Sequence, residues 1–142
     1  MIQEFAEAWE QNKHKLEEKY GEVHPQSYSE IVGDVIELLS ENVDTRPNPD
    51  PQRIHVIDDG DYQGTQIYVI GEDGYQPSKY FYVRVHYGSC TGCDTLKSIH
   101  GSMRPGKEDP NEEQQAGYMR LALHIFQSLK QMDSTRKKTK IE

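Results

Sequence analysis

Apolar side chains recur at helical spacing in two places near the start of the chain. Phe5, Trp9, Leu16 and Tyr20 fall on one stripe and predict a helix over 3–20, which Gly21 ends. Tyr28, Ile31, Val32, Val35, Leu38 and Leu39 form the apolar face of a second helix over 28–41. Ser27 and Glu30 supply the S-x-x-E pattern of a capping box at its start. Asn42 to Gln52 contains Pro47, Pro49 and Pro51, and reads as a linker with no element of its own.

The pattern then changes from helical to alternating. Three strands are expected, at 53–58, 65–70 and 79–87, joined by short Gly/Asp turns that imply antiparallel hairpins. Along the third strand Phe81, Val83, Val85 and Tyr87 alternate with Tyr80, Tyr82, Arg84 and His86. The first set suits a core. The second, grouped with Tyr68, makes an aromatic and polar outer face suited to a ligand floor or a homodimer contact.

A short helix follows over about 93–100, ended by Gly101. Asp109-Pro110-Asn111-Glu112 then reads as a helix start, with Asp109 as N-cap and Pro110 as first helical residue. That helix is expected to run to about Met132. Gln115, Met119, Ala122, Phe126 and Leu129 form one face, with Leu121, Ile125 and Met132 beside it. The order ααβββαα predicts an α+β fold: a small three-stranded antiparallel meander with helices packed on one face. Residues 1–132 are expected to form a single domain, and 133–142 a disordered basic tail.

Charge narrows the partners. Twenty-four acidic residues against sixteen basic ones leave a formal net charge of −8, with the acidic excess in residues 1–60. A negative chain is a poor direct binder of nucleic acid, whose affinity comes from Lys and Arg on phosphate. Glu7, Glu10, Glu17, Glu18, Glu30, Asp34, Glu37 and Glu41 could instead present an acidic surface that mimics nucleic acid. No apolar run approaches the ~18 residues of a membrane span, and Met1-Ile2-Gln3-Glu4 does not open a signal peptide. The expected location is the cytoplasm.

The least generic segment is Tyr87-Gly88-Ser89-Cys90-Thr91-Gly92-Cys93-Asp94-Thr95, which holds both cysteines at a strand-to-helix transition. A helix start has free N–H groups and partial positive charge, so it can bind an anion or lower a thiol pKa. Four readings follow. Cys90 and Cys93 could be a redox dithiol or thiol sensor, although the ααββ order upstream is not that of a thioredoxin. They could bind zinc with His86 and His100, but continuous helix would carry His100 roughly 10 Å past Cys93, too far for one tetrahedral ion. Such a zinc-stabilised interaction module needs an early helix break, His24 or His55 folding in, or two chains pooling four cysteines. They could be buried, inert thiols in a tight loop. Or the loop could bind a ligand through the backbone of Gly92, Cys93 and Asp94. A cytidine-deaminase site is excluded, because His55-Val56-Ile57 has Ile where the catalytic Glu must stand.

Asp58-Asp59-Gly60-Asp61-Tyr62-Gln63-Gly64 is the second unusual segment. Its spacing is not that of an EF-hand, and it reads as a hairpin turn. In a meander the ends of strands 1 and 3 point the same way, so this turn and the cysteine loop are expected to share a rim.

GDYQGT at 60–65 with YGSCTGCDTL at 87–96 resembles a group of short bacteriophage and prophage proteins. These carry a D-G-x-Y-Q-G-T hairpin and a Y-G-S-C-x-G-C-D-T motif. The resemblance covers about residues 54–100. It implies a phage accessory protein in the bacterial cytoplasm that redirects or blocks a host system. The expected function is therefore non-enzymatic: inhibition or sequestration of a host defence protein or of a small anionic, nucleotide-like ligand. The expected contacts are Asp59, Asp61, Tyr62, Gln63, Tyr82, Arg84, His86, Ser89, Thr91, Gly92 and Asp94. No cofactor is expected, with zinc on Cys90, Cys93 and His86 as the alternative.

Overall fold

The computed structural model describes residues 2–40, 49–58, 64–72, 79–88, 94–101 and 109–133. Helices α1 (Ile2–Tyr20) and α2 (Tyr28–Ser40) come first. Strands β1 (Pro49–Asp58), β2 (Gly64–Glu72) and β3 (Lys79–Tyr87) follow. Helices α3 (Thr95–His100) and α4 (Glu112–Ser128) lead to a last strand, β4 (Lys130–Asp133). The fold is α+β, with a four-stranded antiparallel sheet of order β1-β2-β3-β4.

The α1 stripe is buried as its spacing requires, with Phe5, Trp9, Leu16 and Tyr20 all in the core. At its end Gly21 N–H donates to the Glu17 and Glu18 carbonyls. The start of α2 is capped by the Ser27 hydroxyl, which accepts the Glu30 N–H at 3.1 Å. The Glu30 carboxylate reaches back to the Gln26 N–H rather than to that of Ser27. Asp34 is not a solvated charge: it accepts from Lys19 Nζ and Tyr20 Oη, each at 2.8 Å, and so ties α2 to α1.

One side of the sheet carries the core. Tyr68, Ile70, Phe81, Val83 and Val85 are all buried beneath the helices. Phe5 of α1 meets Phe81 with ring centroids 5.7 Å apart, and Trp9 stacks on Phe126 of α4 at 5.2 Å. Tyr68 was expected on the outer face. It pairs with Val83, and residues paired across antiparallel strands share a face, so its ring points inward and is fully buried. Ile67 and Val69 take the outer face instead, beside Arg84 and Tyr82.

Four further expectations are corrected. The proline-rich linker ends earlier than expected, because Pro49 already pairs with Glu72. An edge strand with an irregularity between Pro49 and Ile54 tolerates the missing N–H of proline. Helix α4 starts at Glu112, not Pro110. Its N-cap is Asn111, which exchanges hydrogen bonds with Gln114 in a complete capping box. Ala122 and Ile125 are buried as expected, Met119, Leu121, Phe126 and Leu129 pack against the core, and the buried face also takes in Gly117 and Tyr118. Gln115 instead binds the Glu17 carbonyl at the end of α1. Finally α4 stops at Ser128, and Lys130–Asp133 turns back to pair with Tyr82–Lys79 as a fourth strand. Among the described residues, no helix is long and apolar enough to cross a membrane.

Candidate functional site

The described ends of β1 and β3 meet. Tyr87 Oη donates to Asp58 Oδ1 at 2.6 Å, and Gln66 Nε2 of β2 donates to Asp58 Oδ2 at 3.0 Å. Asp58 is the last residue before the aspartate-rich turn, and Tyr87 lies one residue before the neck of the cysteine loop. That neck is closed by Gly88 N–H, which donates to Asp94 Oδ2 at 2.7 Å.

Asp94 is the centre of this end of the molecule. It is buried, and it is the N-cap of α3 rather than a residue of its first turn. Its Oδ1 accepts the Lys97 N–H at 2.9 Å and the Tyr28 hydroxyl at 2.9 Å. Tyr28 Oη in turn accepts the Leu96 N–H at 3.0 Å. The opening N–H groups of Leu96 and Lys97 are therefore satisfied from within the fold, and the Asp94 carboxylate is taken up there too. An anion on the first turn of α3 would have to displace a buried carboxylate. Asp94 is thus held by the fold's own donors, and it also borders the cleft beside this network. Burial pushes the Tyr28 phenol up to about 12, with the Leu96 N–H opposing the rise and the Asp94 carboxylate adding to it. Tyr28 is thus a neutral donor at ordinary pH.

Beside this network lies a cleft of about 430 Å³. Tyr28 and Ser29 of α2, Gln66 of β2, Tyr87 and Gly88, and Lys97 and His100 of α3 line it. Ser29 Oγ lies 3.1 Å from Tyr68 Oη, which also donates to Gln66 Oε1. The floor is a connected polar layer with its partners supplied. The sequence reading missed Ser29, Gln66, Lys97 and His100 as lining residues. Tyr28 was visible only as an apolar helix position; its hydroxyl, at the first residue of α2, is what reaches Asp94.

The remaining expected site residues divide into three groups. Asp59, Asp61, Tyr62 and Gln63, and Ser89, Cys90, Thr91, Gly92 and Cys93, lie outside the described residues. Tyr82 is half-buried on the outer face of β3. Arg84 and His86 line a different cleft, of about 270 Å³, with Thr95 and His124. Tyr28 contributes to both clefts, which lie on either side of the start of α3.

The two histidines considered for zinc do not share a cleft. His86 Nδ1 lies 3.0 Å from Thr65 Oγ1. His100 Nε2 donates to the Pro25 carbonyl at 2.7 Å, and its ring packs edge-on against His24 and Tyr118. His24 is buried, with Nδ1 2.6 Å from Tyr118 Oη. Among the described residues no group of three or more His, Cys, Asp or Glu is placed to hold a metal ion; Cys90 and Cys93 are not among them. Families of known proteins, curated proteins and solved structures were all compared with this chain, and none matches.

Proposed function

We propose that the chain is a non-enzymatic binding protein of the bacteriophage accessory type. It takes a host protein or a small ligand at the rim formed by residues 58–65 and 86–95. The observation that carries this reading is the Tyr87–Asp58 hydrogen bond of 2.6 Å beside the 430 Å³ cleft. It anchors the necks of the two motif-bearing segments to one another, next to a hollow large enough for a side chain or a small molecule. The floor supports binding rather than catalysis. Asp94 is spent on backbone N–H groups and a phenol, and Tyr28 is held neutral, so neither is available as a general base. Occupying a host protein at this rim would inhibit or sequester it, as the motif resemblance implies.

The test is capture from bacterial lysate by the whole chain, with mass spectrometry of bound proteins and small molecules. Parallel captures use Tyr62→Ala, Thr91→Ala and Lys97→Glu. A species held by the parent chain and lost from these variants, with unchanged unfolding midpoints, supports the reading. Retention of every captured species by all three variants refutes it.

A further inference from the structure

We propose that the smaller cleft, between β3 and α4, is an oxyanion site that takes a phosphate or carboxylate group on Arg84, His86 and His124. It lies across the start of α3 from the 430 Å³ cleft; His86 and Thr95 come from the rim segment 86–95, but the anion contacts rest on Arg84, His86 and His124 alone.

The fold leaves the edge of β3 open at this place. The last β4 partner is Lys130, opposite Tyr82, while β3 continues to Tyr87. Past Tyr82 no described strand lies on that side. Both faces of β3 therefore border the cleft, with Arg84 and His86 from the outer face and Val85 from the core face. Helix α4 closes the other side with His124 and the apolar side chains of Leu121 and Ile125.

The charge of this cleft is opposite to that of the chain. The net charge is −8, yet no carboxylate stands among the described residues that line it. The rim cleft contains Asp94, and the cleft between α1 and α2 contains Asp34 and Glu37. An exposed guanidinium on so acidic a protein has many carboxylates to choose from. Arg84 nonetheless makes no hydrogen bond or ion pair with a described residue, and neither does His124.

The groups present suit an oxyanion. The planar guanidinium of Arg84 presents parallel N–H donors that match two oxygens of a phosphate or carboxylate. Thr65 engages His86 at Nδ1, which orients the ring and leaves Nε2 for a ligand. Thr95 and Ser128 add hydroxyl donors at the wall. The apolar side formed by Leu121 and Ile125 lowers the local dielectric and strengthens the attraction of cation for anion.

The test is NMR titration of the isotope-labelled full chain with inorganic pyrophosphate and, separately, with tetraglutamate. The expected result is a set of shifts centred on residues 84–86 and 124–128, weakened by added chloride. Arg84→Gln should reduce the affinity about tenfold or more, because a charge-assisted pair is lost. Arg84 is exposed, so the unfolding midpoint of this variant should match the parent. A response to pyrophosphate alone assigns the site to phosphate, and a response to tetraglutamate alone assigns it to carboxylates such as those of an acidic peptide. Lys97→Glu, across α3, should leave the titration unchanged. The proposal is overturned by no shift with either probe, by shifts centred on residues 94–97, or by equal affinity in Arg84→Gln.

Discussion

Tyr28 donates its hydroxyl to Asp94 Oδ1 across 2.9 Å, joining the first residue of α2 to the cap of α3 over 66 positions of sequence. The same carboxylate closes the neck of the cysteine loop through Gly88. One buried side chain thus sets where α3 begins and holds the two ends of that loop together.

Replacing Asp94 should be costly for that reason. Asp94→Ala strips partners from Tyr28 Oη, Gly88 N–H and Lys97 N–H together, and should lower stability by about 2–4 kcal/mol. Tyr28→Phe removes one bond to Asp94 and one acceptor for Leu96, and should cost about 1–2 kcal/mol. The double variant should lose less than the sum, since both act in one network. Urea unfolding of the four proteins checks this; strict additivity would mean that the two residues are not coupled.

Two helical glycines should respond in opposite directions. A Cβ on Gly33 of α2 would meet nothing within 4 Å, so Gly33→Ala should stabilise by about 0.5–1 kcal/mol through the lost backbone freedom of the unfolded chain. A Cβ on Gly117 of α4 would come within 3.2 Å of two carbons of the Ile99 side chain and 3.3 Å of a third. That close approach is how α3 seats on α4, and Gly117→Ala should destabilise through overpacking. Thermal midpoints of the two variants, measured side by side, give the sign of each.

Stability should fall in alkali through buried phenols. Burial raises Tyr28 and Tyr118 to about 12, and raises Tyr68. Burial and the neighbouring Asp34 raise Tyr20 as well. The folded values exceed the unfolded value of about 10, so the native state keeps protons that the unfolded chain gives up. Their contribution is complete below about pH 10 and is lost as pH rises towards the folded values. The slope should reach about 1.4 kcal/mol per pH unit for each phenol still protonated. Urea midpoints that stay level from about pH 9 to 11.5 would contradict this, as would phenolate absorbance that develops fully by about pH 11.

The thiols should be ordinary. The opening N–H groups of α3 already bond to Asp94 and Tyr28, and Cys93 precedes the buried Asp94 carboxylate in sequence. Neither feature favours a thiolate. Glutathione buffers of cytosolic poise should leave both cysteines reduced. A disulfide that forms reversibly in those buffers, read by alkylation and mass spectrometry, would restore the redox reading in place of the binding one.

Local pattern in the sequence was enough for the helical stripes of α1 and α2, the hairpin order of β1 to β3 and the inward set Phe81, Val83 and Val85. Each of these rests on a period of two or 3.6 residues within one element. Strand β2 shows where that stops. Its Tyr68 and Ile70 alternate with Ile67 and Val69, so either set could face the core. The choice falls to the Tyr68–Val83 register with β3. Strand β4 has no strand-like pattern in Lys-Gln-Met-Asp; the open edge of β3 supplies its hydrogen bonds, and α4 ends to let it pair. Asp94 reads from the sequence as a first-turn residue of a helix begun at about 93, and only its bonds to Gly88, Tyr28 and Lys97 make it the cap. Periodicity is a property of neighbouring residues, whereas strand register and the satisfaction of buried polar groups depend on partners tens of positions away, and only the tertiary structure brings those together.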